Sequence, residues 1–272
     1  MSLKYEFLIA IRHLKARKKR TLSIVTWLAV TGVALGVTAL VSGFSVTTGF
    51  EHAFRDKVLG VTSHVFVREY GLRFSGYREI EEKVSDTPGV VATSPMTFNE
   101  AMLSARSGTS GAVIKGIVPK QAAQVLGMDG FMVSGQMMDL EPSAERKIDG
   151  IVLGAELARV IGVAQGDLVT LVSPLKSIDP AKWNSQPDRP TTKPFRVTGI
   201  FSAGFHEYDA RLGYMELSTA QEFFGGGDSI LGIEIKVIDP LRAGPVADAV
   251  RERIGGDRFS VLDWRRQNRN LF

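Results

Sequence analysis

The apolar and polar positions of this chain divide it sharply into two regimes. From Thr21 to Phe50 there is no charged residue, and LSIVTWLAVTGVALGVTALVSGFSV is apolar or small almost throughout. That run is longer than the roughly 20 residues a helix needs to cross the hydrocarbon of a bilayer. A cleaved signal sequence carries an apolar stretch of only about 7 to 15 residues, ending at a small-x-small site, so this run predicts an uncleaved membrane anchor. Ahead of it, Leu3, Phe7, Leu8, Ile11 and Leu14 recur at helical spacing, while Arg12, Lys15 and Lys19 fall largely elsewhere. This is the pattern of an interfacial amphipathic helix; the alternative is a frayed basic tail.

Beyond the span the period shortens. His64 to Arg68, Gly111 to Val118, Ile151 to Leu153, Leu168 to Val172, Phe195 to Phe201 and Gly232 to Val237 are short alternating or apolar runs that read as strands. Tyr77 to Ser85, Lys120 to Leu126, Ala155 to Ile161, Thr219 to Phe224 and Leu241 to Ile254 read as short helices. Gly162 is a stop signal after Ile161, Ser218 is an N-cap candidate before Thr219, and Gly166-Asp167 makes a tight turn into the next strand. The prediction is an α+β domain carried by one membrane helix.

Charge matters by location. The net charge is +4, but residues 1 to 20 alone hold Lys4, Arg12, Lys15, Arg17, Lys18, Lys19 and Arg20 against Glu6, which leaves −2 for the other 252 residues. A basic segment confined to one flank argues against a nucleic-acid-binding domain. Set directly before the span, it predicts a cytoplasmic N-terminus.

Candidate chemistry is sparse. There is no cysteine, and no GxxxxGK[ST], GxSxG or HExxH motif; His13, His52, His64 and His206 are scattered. His206, Glu207, Tyr208 and Asp209 are the one cluster of ligand-type side chains, but adjacent residues point in different directions, whereas metal ligands converge. Glu156 and Asp167 read as solvated or capping carboxylates rather than an acid/base pair. No catalytic residue, metal or cofactor is expected. A membrane-tethered hydrolase is the reading these absences weaken.

Two segments do invite a binding role. In the span, Gly32 and Gly36 form a GxxxG pair, extended by Ala29, Ala39 and Gly43 into a stripe of small residues that permits close helix approach or leaves room for a guest. Between two strands, residues 173–194 (SPLKSIDPAKWNSQPDRPTTKP) hold Pro174, Pro180, Pro187, Pro190 and Pro194, five of the eleven prolines in the chain. Proline at that density forbids a regular helix or central strand and predicts a projecting loop. Loops longer than about 12 to 15 residues inside compact domains are mostly functional or disordered. Trp183 in its middle is a candidate aromatic anchor for a partner, and Lys176, Lys182, Arg189 and Lys193 outweigh Asp179 and Asp188 in steering an acidic one. The alternative is a disordered linker with Trp183 folded back on its own domain.

Taken in order, FLIAIRHLKARKK, GVALGVTALVSGFSVTTGFEHAFRDKVLG, AVIKGIVP, GIVLGAELARVIGVAQGDLV, FRVTGIFSAGFHEYDARLGYM and WRRQNRNLF resemble the N-terminal half of a LolC/LolE-type permease of the lipoprotein-releasing ABC transporters, relatives of MacB and FtsX. The resemblance implies a MacB-like periplasmic domain, with a mixed α/β lower subdomain at 49–120 and 236–272 and an inserted β-rich subdomain at 121–235, after a cytoplasmic basic helix at 1–20 and a membrane helix at 21–48. It implies a subunit that passes outer-membrane-directed lipoproteins to a periplasmic carrier. Its expected partners are a separate ATP-binding subunit, a second permease subunit or second copy, the carrier and the lipoprotein. ATP would be used by the partner, with no ATPase domain fused upstream. Four membrane helices are usual in the family, so the second is expected beyond Phe272, and with it the coupling helix. Under this resemblance Gly36, Ala39, Gly43, Val46 and Phe50, which share one side of the span, become the candidate acyl-chain cavity, with packing against another helix as the equal alternative. Pro174, Lys176, Pro180, Lys182, Trp183, Pro187, Arg189 and Pro190 become the candidate carrier-docking hook. The rival within the superfamily is a MacB/FtsX-like mechanotransmission subunit serving efflux or regulation.

Overall fold

The computed structural model describes residues 3–14, 20–71, 74–143, 146–173 and 190–267. The chain separates into two compact units, Met1–Lys57 and Val58–Phe272. The first contains α1 (Leu3–Leu14) and most of α2 (Arg20–Val61). Within α2 the stretch Ile24–Gly49 is long and apolar enough to cross a membrane, and none of it is buried against protein. The helix does not stop where the apolar stretch does, but runs on through the polar segment to Val61. In a bilayer the hydroxyls of the span need internal partners. Thr38 Oγ1 donates to the Ala34 carbonyl at 2.7 Å and Thr47 Oγ1 to that of Gly43 at 2.9 Å.

The second unit is built on β3 (Val90–Ala105), a 16-residue strand that serves two sheets in succession. Its first half completes an antiparallel sheet with β1 (Val65–Glu69), β11 (Gly232–Val237) and β12 (Phe259–Asp263), in the order β12-β1-β11-β3. Val65, Val67, Ile233, Ile235, Phe259 and Val261 alternate onto one face of it. There they meet Tyr77 and Val84 of α3 (Tyr77–Ser85) and Ala247, Val250 and Ile254 of α8 (Ala243–Ile254). A two-residue ladder, β2 (Phe74–Ser75) with β10 (Ser229–Ile230), flanks this layer.

The second half of β3 closes a ring. It pairs with β4 (Gly108–Ile117), then in turn follow β9 (Leu212–Glu216), β6 (Gly150–Gly154), β8 (Thr191–Phe201) and β7 (Leu168–Ser173), and β7 pairs back onto β3 through Met102↔Val172 to Ser104↔Thr170. The six-stranded barrel is filled by alternating residues: Leu103, Ile114, Ile151, Leu153, Val169, Leu171, Phe195, Val197 and Met215. Leu157 and Ile161 of α5 (Ala155–Ile161) and Phe223 of α7 (Leu217–Phe224) complete that core, with Phe195 and Phe223 edge to face at 5.8 Å. Outside the barrel, α4 (Pro119–Leu126) packs Ala122, Val125 and Leu126 over Met96, Ile117 and Tyr214. Short β5 (Met132–Ser134) ends the sheet on β8.

Local chemistry explains the element ends. Gly162, at φ 70°, caps α5 in the left-handed region, as expected of glycine there. The N-cap of α7 corrects the expectation placed on Ser218: the Glu216 carboxylate accepts from the Thr219 amide at 2.9 Å, and the Ser218 hydroxyl bonds to the same carboxylate. Gly154, between β6 and α5, is required for closeness. A Cβ there would run into the backbone carbonyl of Asp209, on α6 (His206–Arg211). Backbone cannot step aside as a flexible side chain does, so Gly154→Ala is expected to cost about 1–3 kcal/mol, the usual range for overpacking. The check is the urea midpoint of the folded domain, lowered at unchanged slope.

Candidate functional site

The five candidate cavity positions all lie on α2. Gly36, Ala39, Gly43 and Val46 are exposed along the span; Phe50 is in the same helix, its side chain outside the described set. At 3.6 residues per turn these positions, with Gly32, fall within an arc of about 80°. A Cβ built on Gly32, Gly36 or Gly43 meets nothing within 4 Å, so the stripe is a shallow trough in the helix surface. Leu40, which flanks the stripe about 80° from its middle, is also exposed, so shape rather than exposure distinguishes the stripe from its surroundings. α1 carries Leu8 and Ile11 exposed, an apolar face open to a membrane surface.

Of the candidate docking residues, Pro174, Lys176, Pro180, Lys182, Trp183, Pro187 and Arg189 lie outside the described residues. Pro190 is described, exposed and irregular, immediately before β8. The roots of the segment are well defined. β7 and β8 run antiparallel, and Ser173 pairs with Thr191, so the two ends of 174–190 leave a hairpin side by side. Lys193, counted as a steering cation, is engaged at this root: its Nζ lies 2.8 Å from Asp149 Oδ2 and 5.8 Å from the centre of the Phe195 ring. A half-exposed pair of that kind contributes little to stability.

The His206–Asp209 cluster has a structural use. Asp209 is buried, and its carboxylate accepts from Ala203 N at 2.7 Å, Ser202 Oγ at 2.9 Å and Gly204 N at 3.3 Å, holding the turn that leads into α6. Glu156 pairs with Arg159, which holds its carboxyl below the usual range, and Asp167 accepts from Ala164 N at 2.8 Å within its turn. Among the described residues no three metal-ligating side chains converge.

One feature escaped sequence reasoning. Lys115 on β4 and Glu234 on β11 form an ion pair at 2.7 Å although they are only 7% and 5% exposed. The Lys115 ammonium also lies 5.9 Å from the ring centre of Tyr214, whose hydroxyl burial holds well above its ordinary pKa. The signal available was a charge set within an apolar strand on each side, AVIKGIV and GIEIKV, but nothing local joins residues 119 apart.

A helix long and apolar enough to cross a membrane, followed by a domain built on a sheet and barrel that share β3, defines the class: an apolar membrane-type helix joined to an α/β domain. The family model of the MacB-like periplasmic core domain matches residues 26–253, and the chain belongs to that family. Within it the chain is LolC/LolE-like. It is 28% identical over 265 residues to the lipoprotein-releasing system transmembrane protein LolC of Neisseria meningitidis serogroup B, covering 97% of this chain and 62% of that protein. It is 28% identical over 247 residues to the LolE protein of Haemophilus influenzae, covering 87% and 56%. The chain thus spans about three fifths of the length of these relatives. Among solved structures it is similar to the periplasmic region of MacB from Actinobacillus actinomycetemcomitans, at 15% identity and a TM-score of 0.47, covering 79% of this chain and 95% of that one.

Proposed function

We propose that this chain acts as a permease subunit of an ABC transporter that releases lipoproteins from the inner membrane and hands them to a periplasmic carrier. The observation that carries this reading is the collinear likeness to LolC across 97% of the chain, membrane helix and domain together. In this reading the chain is not itself catalytic: ATP is hydrolysed on a separate subunit, and a second permease subunit or second copy completes the membrane part. The trough of Gly36, Ala39, Gly43, Val46 and Phe50 receives acyl chains, which small residues accommodate at little steric cost. The segment 174–190 is the carrier hook. The strand ends that bear it, Ser173 and Thr191, are paired side by side, and prolines in such a segment reduce the ordering cost of binding.

The test is co-purification from detergent extract, followed by binding of purified carrier to the intact chain. Lipoproteins and the carrier are expected to co-purify. Trp183→Ala, or a short Gly/Ser turn in place of 176–192, is expected to weaken carrier binding at least tenfold with the melting temperature nearly constant. Binding indifferent to the loop replacement would remove the hook. A different periplasmic partner, with no lipoprotein, would transfer the chain to the MacB/FtsX-like alternative.

The N-terminus is proposed to be cytoplasmic, from the basic residues placed directly before the span. Protease added outside spheroplasts should then degrade residues beyond about 50 while an N-terminal tag stays protected. Protection of the C-terminal part instead would reverse the orientation.

A further inference from the structure

We propose that the buried Lys115–Glu234 pair is a strut that sets the angle between the four-stranded sheet and the barrel, the two bodies that share β3. Lys115 stands opposite Phe98 and Glu234 opposite Ser94, so the pair reaches diagonally across β3 from β4, a barrel strand, to β11, a strand of the sheet. It straddles Met96, the residue where β3 passes from one body to the other: Met96 pairs with Gly232 on one side and with Ile117 on the other.

Each body is internally fixed, the barrel by its closed ring and the sheet by the helices α3 and α8. A strand shared between them has latitude in its twist, since adjacent strands are rotated by anything from about −10 to −35°. Apolar packing at Met96, Ile117 and Tyr214 is satisfied by many small rotations, because dispersion and burial are non-directional. An ammonium held 2.7 Å from a carboxylate is not.

The energetics point the same way. The second carboxylate oxygen of Glu234 is buried without a partner, as is the hydroxyl of Ser94 directly across the ladder. A desolvated pair left partly unsatisfied gives little net stability over well-packed apolar residues of like volume. Geometry is what the charges supply here and apolar side chains would not. Both residues act through position.

The chain has no cysteine, so labels can be placed at will. Spin labels at Thr170→Cys on β7 and Glu252→Cys on α8, both exposed, report the distance between barrel and sheet in the full-length protein. The unsubstituted pair is expected to give one narrow distance distribution. Lys115→Met with Glu234→Leu should keep the melting temperature near the parent value while at least doubling the width of that distribution. A folded double variant with unchanged width overturns the proposal. Should the double variant not fold, Glu234→Gln, which keeps the shape and drops the charge, is read in the same way: widening supports the strut and an unchanged width ends it.

Discussion

Lys115→Met alone is expected to destabilise the periplasmic domain by about 3–5 kcal/mol, the cost of leaving a buried charge without its partner. Methionine fills most of the lysine volume, so little of the loss is cavity. What changes is that the Glu234 carboxylate, 5% exposed and with one oxygen already unpartnered, loses its single cation at 2.7 Å. For a domain of this size each 1 kcal/mol corresponds to about 2–4 °C, so the melting temperature should fall by about 6–20 °C at neutral pH. A fall of less than about 3 °C would mean that the pair is hydrated in solution.

The helices were legible because their signals are local. α3 and α5 run Tyr77–Ser85 and Ala155–Ile161, the limits set by periodicity and by Gly162 as a stop. The expected strands at Gly111, Ile151, Leu168, Phe195 and Gly232 all exist for the same reason. β3 was not readable: Pro95 and the buried hydroxyls of Ser94 and Thr97 interrupt any apolar alternation. Pro95 is tolerated because it falls just before β4 joins at Met96, where one side of β3 has yet to acquire its ladder. β9, Leu212–Glu216, hides for the opposite reason. Both its faces are covered, so four consecutive residues are buried and no alternation remains. The ring itself depends on Met102 to Ser104 meeting Thr170 to Val172, a pairing that no local pattern encodes.

The candidate sites divide along the same line. A stripe on one helix follows from helix geometry alone, so the positions of Gly36, Ala39, Gly43 and Val46 on one side of α2 were accessible from spacing. The proline-rich segment was accessible from composition, and its hairpin root came with the two strands around it. The Lys115–Glu234 pair was not, because strand order and register had to be known before two lone charges on separate strands became neighbours.

Trp264→Ala is expected to cost about 3–5 kcal/mol, in the range for truncating a fully buried large aromatic side chain. Trp264 follows β12 and opens α9 (Trp264–Gln267); it is 2% exposed and packs into the core shared by the sheet, α3 and α8. Its indole Nε1 donates to the Pro240 carbonyl at 2.8 Å, and its backbone amide to the His64 carbonyl at 2.9 Å. His64 is in turn bound to β11, its amide donating to the Ile235 carbonyl at 2.9 Å. One residue thus fastens together the stretch by which the chain enters the domain, the turn before α8, and the segment that leaves β12. Truncation removes the indole from all of these but leaves the backbone bond to His64, so the loss should concentrate at the Pro240 turn and the α8 packing. Trp264→Phe separates the two contributions. It retains most of the burial while leaving the Pro240 carbonyl without its donor, and should cost about 1–3 kcal/mol, the penalty for an unsatisfied acceptor plus a small cavity. Urea unfolding of the intact chain, followed by limited proteolysis at the Pro240–Arg242 turn, reads both. If the phenylalanine variant is as unstable as the alanine one, the hydrogen bond rather than the buried ring holds this end of the domain. If neither moves the urea midpoint, the packing described around Trp264 is wrong.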